Sequence, residues 1–249
     1  MKGTRIAKLR IVVLAIGLVL AAPFARADDM PCSVPDGLAF GDISLPESKS
    51  QIAAGKHLAV LVIGGASIGG MASGGRAHSL PMRLEVRLRA AFPGQDITVS
   101  THSVDGGNTR AAADQMTAAI RYAGAKLVVW ETGSSAAVAG DDLEMFTTNL
   151  ESGLNAAKVA HADIILMDLQ YAPSIARVMN QTPYCDAIRG AAEMAGVPML
   201  HRFALMHAWS DSGELNLDAA NAAERVKVAR RVYDCLAGVL ANGIVGAWR

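Results

Sequence analysis

His57-Leu58-Ala59-Val60-Leu61-Val62-Ile63 runs directly into Gly64-Gly65-Ala66-Ser67-Ile68-Gly69-Gly70. The first seven residues are apolar almost without a break, as expected of a strand covered on both faces rather than one facing water. The glycine-rich turn that follows has neither the GxGxxG spacing of a dinucleotide loop nor the Gly-Lys-Ser/Thr ending of a P-loop. The same pattern recurs downstream. Asp96–His102, Lys126–Glu131, Asp163–Asp168 and Pro198–His201 read as further strands. Between and after them, 80–92, 109–123, 141–161, 185–195 and 219–241 read as helices, with Asn108 or Thr109 capping the second. Strands alternating with helices imply parallel pairing through right-handed crossovers. The reading is an α/β three-layer sandwich around a parallel five-stranded sheet. Ligands in such sheets bind beyond the carboxyl ends of the strands. The loops after Ile63, His102, Glu131, Asp168 and His201 are therefore the candidate site.

Composition narrows the function. The 249 residues are 51% apolar and 18% charged, which suits a packed core rather than disorder. Lys plus Arg and Asp plus Glu are each 23, so there is no basic excess with which to neutralise nucleic-acid phosphates. Lys2, Arg5, Lys8 and Arg10 precede an apolar run from Ile11 to about Leu20, and Ala25-Arg26-Ala27 forms a small-x-small cleavage site. Residues 1–27 thus read as a cleaved signal peptide, with the mature chain periplasmic or secreted and without a membrane span. Residues 28–51, rich in Pro, Ser and Asp, read as an irregular arm, and 52–249 as one domain. Export makes a disulfide plausible among Cys32, Cys185 and Cys235, and a Cys32–Cys235 bridge would tie the arm to the last helix. Spacing alone leaves connectivity open. No CxxC or HxxxH spacing points to a metal, and no cofactor is expected.

Three loops carry the chemistry: Gly64–Gly70, then Val104-Asp105-Gly106-Gly107-Asn108-Thr109, then Trp130-Glu131-Thr132-Gly133-Ser134-Ser135. Together they resemble the blocks of the SGNH/GDSL hydrolase family. Leu166–Pro173 and Arg202–Met206 are similar to an exported bacterial branch of it. The resemblance runs from about Cys32 to Ile244 and implies a flavodoxin-like SGNH hydrolase fold. It also implies ester hydrolysis, in which a serine attacks a carbonyl, a histidine takes its proton, and backbone and amide N–H groups hold the oxyanion.

Carried over residue by residue, the pattern is degraded. If Gly64-Gly65-Ala66 aligns with Gly-Asp-Ser, Gly70 matches the downstream glycine and Ala66 holds the nucleophile position. If Gly65-Ala66-Ser67 aligns instead, Ser67 is the nucleophile and Met71 replaces that glycine. Ser67 has a plain alternative role as a helix cap or loop bond. Gly107 matches the oxyanion glycine, and Asn108 would fix its loop. Ser135 stands at the asparagine position with a shorter donor. No Asp-x-x-His precedes the last helix, leaving His207, beside Trp209 and Asp211, as the candidate base. His201 and His102 are weaker candidates. Asp168 would face the cleft rim as a ligand contact or cap a helix, and Glu131 with Asp141 could form a carboxylate pair.

Three functions follow. One is an exported pseudoenzyme that binds a ligand or partner in the old cleft. Another is a serine esterase acting through Ser67 and a relocated base on a small ester or acylated glycan. The third is a component that docks to an envelope protein.

Overall fold

The structure, a computed structural model, describes residues 32–249. The expected signal peptide, residues 1–27, lies outside them. Five strands form one parallel sheet: β1 (Leu58–Gly64), β2 (Ile97–Ser103), β3 (Ala125–Glu131), β4 (Asp163–Met167) and β5 (Met199–Leu200). Their order is β2-β1-β3-β4-β5, with every neighbouring pair parallel. This is the doubly wound order whose switch point lies between the first and third strands. All seven residues of β1 are buried, as its unbroken apolar run requires.

Helices cover both faces. On one side lie α1 (Pro46–Ala53), α2 (Leu80–Ala91), α8 (Arg202–Asp211) and α9 (Ala222–Trp248), around Leu84, Leu88, Met206, Trp209, Leu236 and Leu240. On the other lie α3 (Thr109–Ala123), α5 (Leu143–Val159) and α7 (Thr182–Ala195), around Trp130, Met116, Phe146, Leu150 and Ile188. Gly153 lets α5 approach the sheet, since a Cβ there would meet the Trp130 ring at 2.4 Å. Two further short α-helices are α4 (Ser134–Ala139) and α6 (Pro173–Ala176).

Several boundaries differ from the sequence reading. The arm expected to be irregular over 28–51 ends in α1. Pro46 sits in the first helical turn, where a missing N–H costs nothing, so its presence marks a start rather than a break. Asp163 anchors that start: its carboxylate accepts from the Ser48 N–H and hydroxyl and from the Glu47 N–H. The last helix continues past Ala241 to Trp248, whose indole N–H donates to Ser48 Oγ at 2.9 Å. Helix α8 was not expected at all. Its apolar face follows β5 after only His201, too short a break to read as a boundary.

The arm is strapped to the domain. Cys32 and Cys235 are joined by a disulfide, with Cα atoms 5.5 Å apart. Ser33 donates from its N–H and hydroxyl to Glu214, and accepts from the Trp209 indole at 2.6 Å. Among the described residues, no helix is long and apolar enough to cross a membrane.

Candidate functional site

The three loops meet at the carboxyl rim of β1 and β3. A Cβ built on Gly65 would lie 3.3 Å from Gly107 Cα, and one on Gly107 would lie 2.6 Å from Ser135 Oγ. Gly107, at φ +64°, also adopts a conformation that favours glycine. Residues from the three loops thus share one small surface.

Ala66 opens the single-turn helix Ala66–Gly69 and is exposed. Gly70 closes that turn at φ +85°, against the Gly75 carbonyl. Of the two registers, one places Gly70, with this positive φ, at the downstream glycine and Ala66 at the nucleophile position, and the other places Met71 and Ser67 there. Ser67, next in the turn, faces inward. Its hydroxyl lies 3.1 Å from both carboxylate oxygens of Glu131, and its carbonyl accepts from the Tyr233 hydroxyl at 3.1 Å. Burial, with the Glu131 charge nearby, pushes the Tyr233 hydroxyl up to about 12, so it stays a donor.

Glu131 ends β3 beneath Gly64, where a Cβ would meet its own Cβ at 2.9 Å. Its Oε1 lies 2.6 Å from Nη1 of Arg202, and both side chains are under 10% exposed. Arg202 Nη2 donates to Ser134 Oγ at 3.2 Å, and the Gln170 N–H donates to the same hydroxyl at 3.0 Å. A buried network thus runs Ser67–Glu131–Arg202–Ser134. Arg202, Ser134 and Tyr233 were not singled out from sequence. A lone arginine between an apolar strand and an apolar helix was the available signal.

The residues expected at the cleft have these partners. The Gly107 N–H donates within its own turn to the Val104 carbonyl at 2.9 Å. Ser135 packs on Gly107 and is partly exposed. Asn108 caps α3 by accepting from the Ala111 N–H at 2.9 Å. Asp168 caps α8, accepting from the Phe203 N–H at 2.8 Å. Burial pushes its carboxyl up to about 7 despite that bond and the Arg202 charge.

No imidazole among the described residues hydrogen-bonds to Ser67. His207 is exposed on α8, with Nδ1 3.5 Å from Asp211 and its ring against Tyr171 and Phe203. His102 bonds Gln115. His201 lies at the start of α8, where burial and the Arg189 charge lower its pKa. Asp141 is exposed while Glu131 is buried with Arg202, so the two carboxylates have unlike surroundings. The described residues contain no cluster of three or more His, Cys, Asp or Glu able to hold a metal.

Residues 31–249 match the model of the Non-GDSL lipase-like family. The chain belongs to that family. Its fold is that of the SGNH hydrolases, as solved structures also indicate. TesA matches at 20% identity and a TM-score of 0.55, over 73% of this chain and 99% of its own. The psychrotrophic esterase EstA from Pseudoalteromonas sp. matches at 18% and 0.54, over 73% and 98%. A two-domain esterase, CEX, active on acetylated mannans, matches at 15% and 0.62, over 84% and 55%. No curated protein sequence matches the chain.

Proposed function

We propose that the protein is an exported pseudoenzyme, a binding protein on the hydrolase fold that takes an acyl-bearing ligand without cleaving it. One observation carries the reading: the Ser67 hydroxyl is turned inward to Glu131, with no imidazole hydrogen-bonded to it among the described residues. In the register that sets Gly70 at the downstream glycine, the nucleophile position falls on Ala66, which supports the same reading. Attack on an ester needs a hydroxyl exposed to the carbonyl and an acceptor for its proton. Imidazole usually fills the second role near neutral pH. The carboxylate beside Ser67 is already engaged by Arg202. Occupation of the Gly107 N–H by Val104 supports the same reading, because one lost oxyanion donor lowers a rate on the order of a hundredfold or more. The ligand class draws on the neighbours, esterases among them and one active on acetylated mannans. Small esters and acylated glycans both belong to it. Export draws on the basic, apolar and small-residue order of residues 1–27.

A second reading, hydrolysis through Ser67, is favoured by one distance, the 3.1 Å from its hydroxyl to each Glu131 oxygen. In that reading Glu131, or a moved His207, accepts the proton while the serine oxygen bonds the acyl carbon; the ester C–O bond then breaks, the leaving alcohol takes that proton, and water cleaves the acyl-serine to acid and free serine. The mature protein is assayed on short-chain aryl esters beside Ser67→Ala, Glu131→Gln and His207→Ala. Turnover at the buffer rate in all four is expected. Wild-type hydrolysis lost in Ser67→Ala overturns the binding reading.

A further inference from the structure

Beside the Ser67 turn lies a cavity of about 440 Å³. It is formed by the first half of α9, Met206 of α8, the chain at Asn216–Ala219 and the segment after β4. Tyr233 belongs to both features, lining the cavity and donating its hydroxyl to the Ser67 carbonyl. The volume falls within the range of small-molecule sites.

Resting on the non-hydrolytic reading above, we propose that this cavity binds a single-chain amphiphile, its apolar chain inside and its acidic head on Arg225. The less exposed part of the lining is mostly apolar, with Met206, Leu217, Val226 and Val232 beside Tyr171, while Gln170 and Asn216 are exposed. A sugar ring seated inside would lose most of its hydrogen bonds to water, since the lining residues Gln170, Asn216 and Arg225 are exposed and the Tyr233 hydroxyl is already donated. A hydrocarbon chain loses none, and each buried methylene contributes favourably. Met71, 77% exposed, also lines the cavity, where its flexible thioether can fold over chains of different length.

The charge pattern selects the head group. Of the described residues that line the cavity, Arg225 alone is charged, and no carboxylate lines it. Asp218, next to the lining residues Leu217 and Ala219, is turned to Arg177 at 3.0 Å. Arg225 donates from Nη1 to the Ala220 carbonyl, but a guanidinium carries five donors in one plane, enough for a carboxylate or phosphate as well. Arg225 is exposed, so the head stays at the solvent boundary while the chain runs inward.

The test is calorimetric binding of alkanoates of rising length, below their micelle concentrations, to the mature protein. Affinity is expected to rise about fourfold per methylene, then level off once the cavity is full. Dodecanoate and dodecyl phosphate are each expected to bind about fivefold or more tighter than dodecanol, with the advantage lost in Arg225→Gln. Equal affinity of the two anions means that charge is read, as proposed. A strong preference for the phosphate narrows the head to phosphate-bearing lipids, still within the proposal. Ala229→Trp, which fills the cavity, and Ala222→Trp, at its mouth, are each expected to abolish binding. Thermal unfolding of both variants shows whether they are folded. The proposal is overturned if no chain length binds saturably, if affinity ignores chain length, if dodecanol binds as tightly as the anions, or if either folded tryptophan variant binds normally. None of these ligands carries a carboxylic ester, so the result is separate from that of the ester assay.

Discussion

Glu131 and Arg202 meet at 2.6 Å inside the protein, 71 residues apart in sequence, the one ending β3 and the other opening α8. Two charges withdrawn from water need each other, because removing either leaves the other buried and uncompensated. Arg202→Ala is expected to destabilise the fold by about 3–5 kcal/mol, read from urea unfolding. Glu131→Leu with Arg202→Met should recover most of that loss, since apolar replacement of a buried pair is often neutral. A double variant as unstable as the single one would mean that the pair's bonds to Ser67 and Ser134, rather than its charges, hold the rim together.

Asp168 makes stability depend on pH. Its carboxyl titrates near 7 in the fold and near 3.9 when unfolded, so between these values the folded chain keeps a proton that the unfolded chain has lost. Stability from this group is fullest below about pH 4 and falls as pH rises to about 7. Asp163, raised by burial, acts in the same direction. Asp168→Asn keeps an acceptor for the Phe203 N–H without the charge. Its unfolding free energy relative to wild type should improve by roughly 2–3 kcal/mol between pH 5 and pH 8. An unchanged difference across that range would refute the assignment.

Much of the architecture was readable because buried parallel strands leave unbroken apolar runs. Leu58–Gly64 and Asp163–Met167 lie where those runs stand. Helix ends were less visible. Pro46 looks like a breaker in sequence but occupies a helix start, and α8 follows β5 with only His201 between. In the site, the meeting of the Gly64–Gly70, Gly107 and Ser135 loops could be read, because each loop leaves the carboxyl end of a strand. The Ser67–Glu131–Arg202–Ser134 network could not, because its partners come from three separate crossovers. Asp168 resolves toward capping, yet the helix it caps is the one after β5, a contact across the sheet that local spacing does not encode.

Gly107 should resist substitution for two separable reasons. Its φ of +64° strains any residue with a Cβ, and that Cβ would meet Ser135 Oγ at 2.6 Å. Gly107→Ala is expected to lose about 1–3 kcal/mol. Adding Ser135→Gly should return the steric part and leave the backbone part. If the second change returns nothing, the two loops are not in the contact described.

The Cys32–Cys235 bridge closes a loop of 203 residues and holds the arm whose Ser33 grips Glu214 and Trp209. Removing such a bridge typically costs about 2–5 kcal/mol. Cys32→Ser with Cys235→Ser should therefore lower the melting temperature by several degrees. Beyond that global effect, the segment 212–217 is held from outside by Ser33, so it should lose protection first. Hydrogen exchange is expected to rise there more than in α3 or α5, which the strap does not touch. Cys185 provides the control: burial pushes its thiol up to about 12, and it should not react with a thiol reagent until the protein unfolds. A uniform rise in exchange across the molecule would mean that the bridge stabilises the chain only through its unfolded state, and that the arm does not hold the wall of the cavity in place.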